Sequence, residues 1–262
     1  MNAPNEILFK VKGCSFNYPE RTILQSVSAE FRRGRMYGLI GPNGSGKTTL
    51  ISLLAGIHRP LSGAILYKDK EISLYPKSVL AREIAMVPQS FSMEFDYTVF
   101  EVVMMGRHPY IPRFSGPAKE DMALVDRAIA MLDIEHLRNR YLPHLSGGEH
   151  QRVLVARASA QNTPVMILDE ATASLDIRHA IDIMAALRHK VDAEGVMVIA
   201  AVHDLEMAAA FCDELVVLKE GRVHAAGPVA GIMSEEMLDA VFNVGAEVEI
   251  ADTGQPWIRY SY

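Results

Sequence analysis

The run Met36-Tyr37-Gly38-Leu39-Ile40-Gly41-Pro42-Asn43-Gly44-Ser45-Gly46-Lys47-Thr48 decides the fold of this chain. Its first five residues are an apolar run, the pattern of a strand buried on both faces. Residues 41–48 then match G-x-x-x-x-G-K-[ST], and helical spacing takes over from Thr49 to Gly56. Strand, glycine loop and helix in that order make a phosphate cradle. Glycine lets backbone N–H groups converge on anionic oxygens without Cβ interference, and the helix adds its positive N-terminal end. The pattern assigns Gly41, Asn43, Gly44, Ser45, Gly46, Lys47, Thr48 and Thr49 to nucleotide binding, with Lys47 on the β- and γ-phosphates and Thr48 on Mg²⁺.

Upstream of the loop, Ile7-Leu8-Phe9-Lys10-Val11-Lys12 and Ser28-Ala29-Glu30-Phe31 read as half-buried strands, with Tyr18-Pro19-Glu20 as a turn between them. An antiparallel N-terminal ribbon is expected. Between Gln89 and Thr163 the spacing becomes helical, with Met122, Val125, Ile129 and Leu132 on one face. Val165-Met166-Ile167-Leu168 and Val196-Met197-Val198-Ile199-Ala200 then read as buried strands around a helix over 177–191. Strands alternating with helices predict a mostly parallel sheet. The expected organisation is one α/β unit, with a nucleotide-binding core from 1–88 and 163–262 and a helical subdomain inserted at 89–162.

Composition narrows the function classes. The chain has 262 residues and is 49% hydrophobic, enough for one large domain with a subdomain. Its net charge of -6, from 26 Lys+Arg against 32 Asp+Glu, argues against a phosphate-backbone partner. Cys14 and Cys212 are the only cysteines and lack metal or disulfide spacing, which suits a reducing compartment. Residues 1–6 show no basic-then-apolar leader, and the apolar runs fall well short of the ~20 residues a membrane helix needs.

Leu145-Ser146-Gly147-Gly148-Glu149-His150-Gln151-Arg152 supplies a second anion reader. Ser146 and Glu149 form an S-x-x-E capping box, and Gly147 and Gly148 expose backbone N–H groups at the start of a helix. Val165-Met166-Ile167-Leu168-Asp169-Glu170 delivers two carboxylates at the C-terminal edge of a buried strand, where open α/β sheets bind ligands. The pair resembles the Walker B end of ATPases, and the resemblance implies that Asp169 holds the Mg²⁺ shell through water and that Glu170 acts as general base on the attacking water.

These strings together resemble the ABC ATPases: 145–152 the signature motif, Asp169-Glu170 the Walker B end, and Ser174-Leu175-Asp176 the D-loop. Gln89 after Met86-Val87-Pro88 resembles the Q-loop glutamine, His203 the switch histidine, and Tyr18 the aromatic that stacks on adenine. The resemblance implies a P-loop NTPase (RecA-like) core with an N-terminal antiparallel β subdomain and an inserted α-helical subdomain. It also implies MgATP as ligand, with Gln89 as a further Mg²⁺ ligand and His203 on the γ-phosphate. An alternative assignment makes His203 the base and Glu170 a structural carboxylate.

The same resemblance implies two copies sandwiching two nucleotides, so that Ser146, Gly147, Gly148, Glu149 and Asp176 act across the interface. Integral membrane permease subunits and an extracytoplasmic binding protein would be the partners, at the cytoplasmic face of the inner membrane. Met105-Gly106-Arg107-His108-Pro109-Tyr110 with Leu175-Asp176-Ile177-Arg178-His179 looks like the iron-chelate, haem and cobalamin importer branch. An exporter ATPase and a soluble mechanical or regulatory ATPase stand as the alternatives. The chain departs from the family pattern at Ala171, where proline is usual, and at His150.

Overall fold

The computed structural model describes residues 6–19, 21–91, 93, 95–172, 175–251 and 254–261. Strands β1 (Ile7–Tyr18) and β2 (Arg21–Arg32) form a hairpin, and β3 (Met36–Ile40) leads through the glycine loop into α1 (Lys47–Leu54). Then come β4 (Ser62–Tyr67), β5 (Lys70–Glu71), α2 (Lys77–Leu80) and β6 (Ile84–Val87). A helical stretch follows, with α3 (Val99–Met104), α4 (Lys119–Met131) and α5 (Gly147–Ala160). The chain returns to the sheet with β7 (Val165–Leu168), α6 (Ile177–Glu194), β8 (Met197–Ala201), α7 (Leu205–Phe211), β9 (Glu214–Lys219) and β10 (Arg222–Pro228). It closes with α8 (Val229–Ile232), α9 (Glu235–Phe242), β11 (Ala246–Ile250) and β12 (Pro256–Tyr260).

Six strands form the central sheet in the order β10-β9-β3-β8-β7-β6. All neighbours from β9 to β6 are parallel, and β10 pairs antiparallel at the edge. The period of two explains why its strands read as unbroken apolar runs. Met36, Met166, Leu168, Val198 and Ala200 face one hydrophobic cluster, while Tyr37, Val165, Ile167, Met197 and Ile199 face another on the opposite side. The second cluster is closed by a four-stranded antiparallel sheet, β2-β1-β4-β5. The N-terminal ribbon is thus wider than expected: β4, only partly buried, adds to β1 from a distant point of the sequence.

The first cluster continues into the helical layer, where Val102 and Val103 of α3, Val125 and Ile129 of α4, and Val153 and Leu154 of α5 are buried together. Arg107, just after α3, is buried. Its Nε donates to Asp121 Oδ1 at 2.9 Å, and its Nη1 donates at 3.0 Å to both the Ala160 and Gln161 carbonyls at the end of α5. The guanidinium lies 4.0 Å from the centre of the Tyr110 ring. One residue therefore ties α3, α4 and α5 together and satisfies carbonyls that the end of α5 leaves open. Phe114, a few residues on, is almost wholly exposed.

Candidate active site

Parallel strands end on the same side of a sheet, so β3, β8, β7 and β6, adjacent in that order, present their C-terminal loops together. After β3 comes the glycine loop, after β8 His203, after β7 Asp169 and Glu170, and after β6 Gln89. Four dispersed sequence segments become one row.

The loop is built tightly. Gly41 has φ +149°, and a methyl group there would stand 2.1 Å from the Leu218 carbonyl oxygen. Gly46, at φ +107°, caps α1, and a methyl group on it would meet Leu24 Cδ2 at 2.5 Å. Only glycine fits either place. No side chain caps the first turn of α1, which leaves its N–H groups open to an anion. Ser45 Oγ is buried and has no hydrogen-bond partner among the described residues. A buried hydroxyl without a partner, beside uncapped N–H groups, is a polar set suited to phosphate oxygens.

Lys47 is buried, and its Nζ donates to the Gly41 carbonyl at 2.8 Å and the Pro42 carbonyl at 3.2 Å. Burial lowers its pKa below the usual lysine value, against the pull of Glu170 and Asp169 in the other direction. Thr48 Oγ1 donates to Asp169 Oδ1 at 3.0 Å. Burial raises the Asp169 pKa, aided by the neighbouring Glu170 charge and opposed by the Thr48 bond and by Lys47. Thr48 and Asp169 place two hard oxygen donors side by side, and Gln89 adds an amide nearby, a donor set that fits Mg²⁺.

Glu170 is clamped at both oxygens. Gln89 Nε2 donates to its Oε2 at 2.6 Å, and His203 Nε2 lies 2.5 Å from its Oε1. Its backbone is left-handed, with φ +52°, a conformation costing about 1 kcal/mol in a residue with a Cβ. The side chain lines a cleft of about 150 Å³ together with Arg21, Asn43, Gly44, Lys47, Thr48 and Thr49. Arg21 was not singled out by the sequence. It lies next to the hairpin turn and forms no motif, and only folding brings its Nη2 within 3.5 Å of a methyl position at Gly44. Tyr18 pairs with Arg21 across that turn, is 44% exposed, and meets Phe16 edge-on at 5.1 Å.

Residues 146–149 are not among those lining this cleft. The capping box read from the sequence is present: Ser146 Oγ accepts from Glu149 N at 3.3 Å, and Glu149 Oε2 accepts from Ser146 N at 2.7 Å. The N–H and the hydroxyl of Ser146, each donating to Glu149 Oε2 at 2.7 Å, hold the Glu149 carboxyl below its ordinary pKa. A methyl group on Gly147 would meet nothing within 4 Å, so that position faces open space. Asp176 caps α6, its Oδ1 accepting from His179 N at 3.0 Å, and it lines a second cleft with Arg152, Leu175 and His179. Ser174 and Glu20 lie outside the described residues. Ala171 is buried, and burial with the Arg157 charge lowers the His150 pKa.

A glycine loop after one parallel strand and a pair of carboxylates after another, two strands away in the same sheet, define a P-loop nucleotide-binding protein. Residues 24–173 match the family model for the ABC transporter. The chain is 42% identical over 238 residues to a cobalamin import ATP-binding protein of Halobacterium salinarum, covering 91% of this chain and 59% of that protein. This chain therefore spans little more than half the length of that relative. It is 36% identical over 255 residues to a hemin import ATP-binding protein of Thermobifida fusca, covering 96% of this chain and 88% of the relative. A chain of an inward-facing ABC transporter assigned to the metal-chelate type superposes with TM-score 0.83 and 28% identity, covering 98% of this chain and 97% of its own. The chain belongs to the ABC transporter family, as an ATP-binding domain. Among the described residues, no helix is long and apolar enough to cross a membrane.

Proposed function

We propose that this chain is the ATP-hydrolysing subunit of an ABC importer for an iron chelate, haem or cobalamin, and that it works as a homodimer beneath membrane permease subunits. The clamped Glu170 carries the enzymatic reading, because a carboxylate held by Gln89 and His203 at the rim of the phosphate loop is a positioned base. Names of relatives that import cobalamin and hemin support the substrate class.

In this reading the uncapped N–H groups of α1, Ser45 and Lys47 bind the phosphates of ATP, and Tyr18 stacks on adenine. Thr48, Asp169 and Gln89 would hold Mg²⁺, which would supply positive charge against the phosphates of ATP. Glu170 takes a proton from water as the oxygen attacks the γ-phosphorus, and the bond to the β-phosphate oxygen breaks, giving ADP and phosphate. His203 orients Glu170 and, in turn, the γ-phosphate. Because residues 146–149 do not line the chain's own cleft, the signature loop reads the nucleotide of a second copy, with Asp176 crossing beside it. The core over 1–88 and 163–262 then holds the nucleotide, and 89–162 carries the loop that meets the partner. Binding to a permease places the chain at the cytoplasmic face of the inner membrane, with an extracytoplasmic binding protein delivering substrate.

The test is extraction of the tagged chain from native membranes in mild detergent, followed by reconstitution into vesicles. A co-purifying multi-spanning protein is expected, with uptake of haem, cobalamin or a ferric chelate driven by ATP on the ATPase side. Movement in the opposite direction would assign an exporter. A chain that hydrolyses ATP with no membrane partner would assign a soluble ATPase.

A further inference from the structure

The segment Leu175-Asp176-Ile177-Arg178-His179 marks a branch in the sequence, and the structure gives its histidine a mechanical place. His179 sits in the first turn of α6 and touches the first turn of α5. A methyl group on Gly148 would stand 3.2 Å from its Nδ1 and 3.3 Å from its Cγ, so the imidazole lies against the glycine surface and a side chain there would press on the ring. The same ring binds Asp176: Nδ1 is 2.7 Å from Oδ2, while the backbone N of His179 donates to Oδ1 at 3.0 Å. A carboxylate only accepts hydrogen bonds, so Nδ1 carries the proton and donates. Both carboxylate oxygens are thereby committed to one residue, and that residue rests on the signature loop.

We propose that His179 is a positioning residue that fixes Asp176 relative to Gly148, so that the signature loop and the D-loop move as one piece when two copies close on ATP. This rests on the ATP-sandwich reading above. The ring does not touch nucleotide in this arrangement. It acts as the spacer between two helix N-termini, each of which presents a loop to the partner, and its stiffness transmits displacement of one to the other.

The full chain is used, with Glu170→Gln as background for scattering measurements of the ATP-dependent dimer and the parental chain for turnover. His179→Ala is expected to raise the ATP concentration for half-maximal dimerisation about tenfold and to lower kcat about tenfold. The Kd for ATP of the monomer should stay within about twofold. His179→Asn, whose amide can still donate to Asp176, is expected to recover most of both losses. In a double-mutant cycle, Asp176→Ala with His179→Ala should be no worse than Asp176→Ala alone. Additive losses, or a monomer affinity that falls in step with kcat, would overturn the proposal in favour of a general folding role. Unchanged dimerisation and kcat in His179→Ala would overturn it too. If the Glu170→Gln chain itself fails to dimerise with ATP, the sandwich reading falls and this inference falls with it. A normal dimer there with an inert His179→Ala strikes this inference alone.

Discussion

The guanidinium of Arg107 and the ammonium of Lys47 are both buried, and their surroundings differ in kind. Arg107 is met by a carboxylate, two carbonyls and an aromatic face, all supplied by elements that pack in any case. Lys47 is met by the carbonyls of its own loop, beside a buried hydroxyl and a helix end that find no partner or side-chain cap among the described residues. A buried charge whose partners are complete serves the fold. One whose neighbours are left open serves a ligand.

The sharpest break in that comparison is at Glu170, the proposed base. Glu170→Gln should slow ATP hydrolysis about 10³-fold, within the span a positioned base supplies, while ATP affinity stays near parental. Turnover in the assembled transporter at saturating MgATP measures it. Retention of most of the rate would transfer the role of base to His203.

In the helical layer the same logic predicts loss of stability without loss of chemistry. Arg107→Met leaves Asp121 buried without its cation and should cost about 3 kcal/mol in urea unfolding. Asp121 has its pKa held low, first by the Ala118 N–H and then, against burial, by Arg107. Such a carboxylate contributes stability above its ordinary pKa that is lost as pH falls through the lowered value. The gap between variant and parent should therefore hold from pH 7 down to the ordinary aspartate value of about 3.9 and narrow only below it. A gap independent of pH would mean that Arg107 acts through the Ala160 and Gln161 carbonyls and the Tyr110 ring, not through Asp121.

Lys47→Met gives the opposite profile. ATP affinity should fall about thirtyfold, the value of one charge-assisted phosphate contact of about 2 kcal/mol. Unfolding without nucleotide should change by less than about 1 kcal/mol, because burial already disfavours the charged form. A loss as large as that of Arg107→Met would erase the distinction between the two regions. The smallest effect belongs to Tyr18→Ala, expected to weaken ATP about fivefold for the loss of one aromatic face, with Tyr18→Phe near parental. Nucleotide titration decides between stacking and a bystander at the hairpin turn.

The comparison also shows what a sequence can and cannot disclose. The strand, loop and helix around Lys47 are legible because their chemistry is local: glycine spacing, the following lysine and the uncapped helix lie within one short stretch. Asp169 and Glu170 are legible because a buried strand must end somewhere, and carboxylates at that end are conspicuous. Arg107 is legible only as part of the stretch 105–110 that resembles the importer branch, since its partners come from α4 and the far end of α5 and leave no periodic trace. Arg21 was missed for a related reason, as nothing beside it in the chain announces the loop it lies against. Strands β4, β5 and β9 to β12 escaped because they are short, partly exposed, or completed only by pairing with distant residues.

The left-handed backbone of Glu170 carries a consequence for anyone engineering this chain. Glycine or asparagine at that position would relieve the conformational cost, and neither has a carboxylate. Where that relief outweighs the lost Gln89 and His203 contacts, a screen that selects only for survival of heating is expected to collect substitutions at position 170, and on the role proposed for Glu170 each would lose turnover. Selection for robustness here has to be run with an activity readout at every round, or with that codon locked.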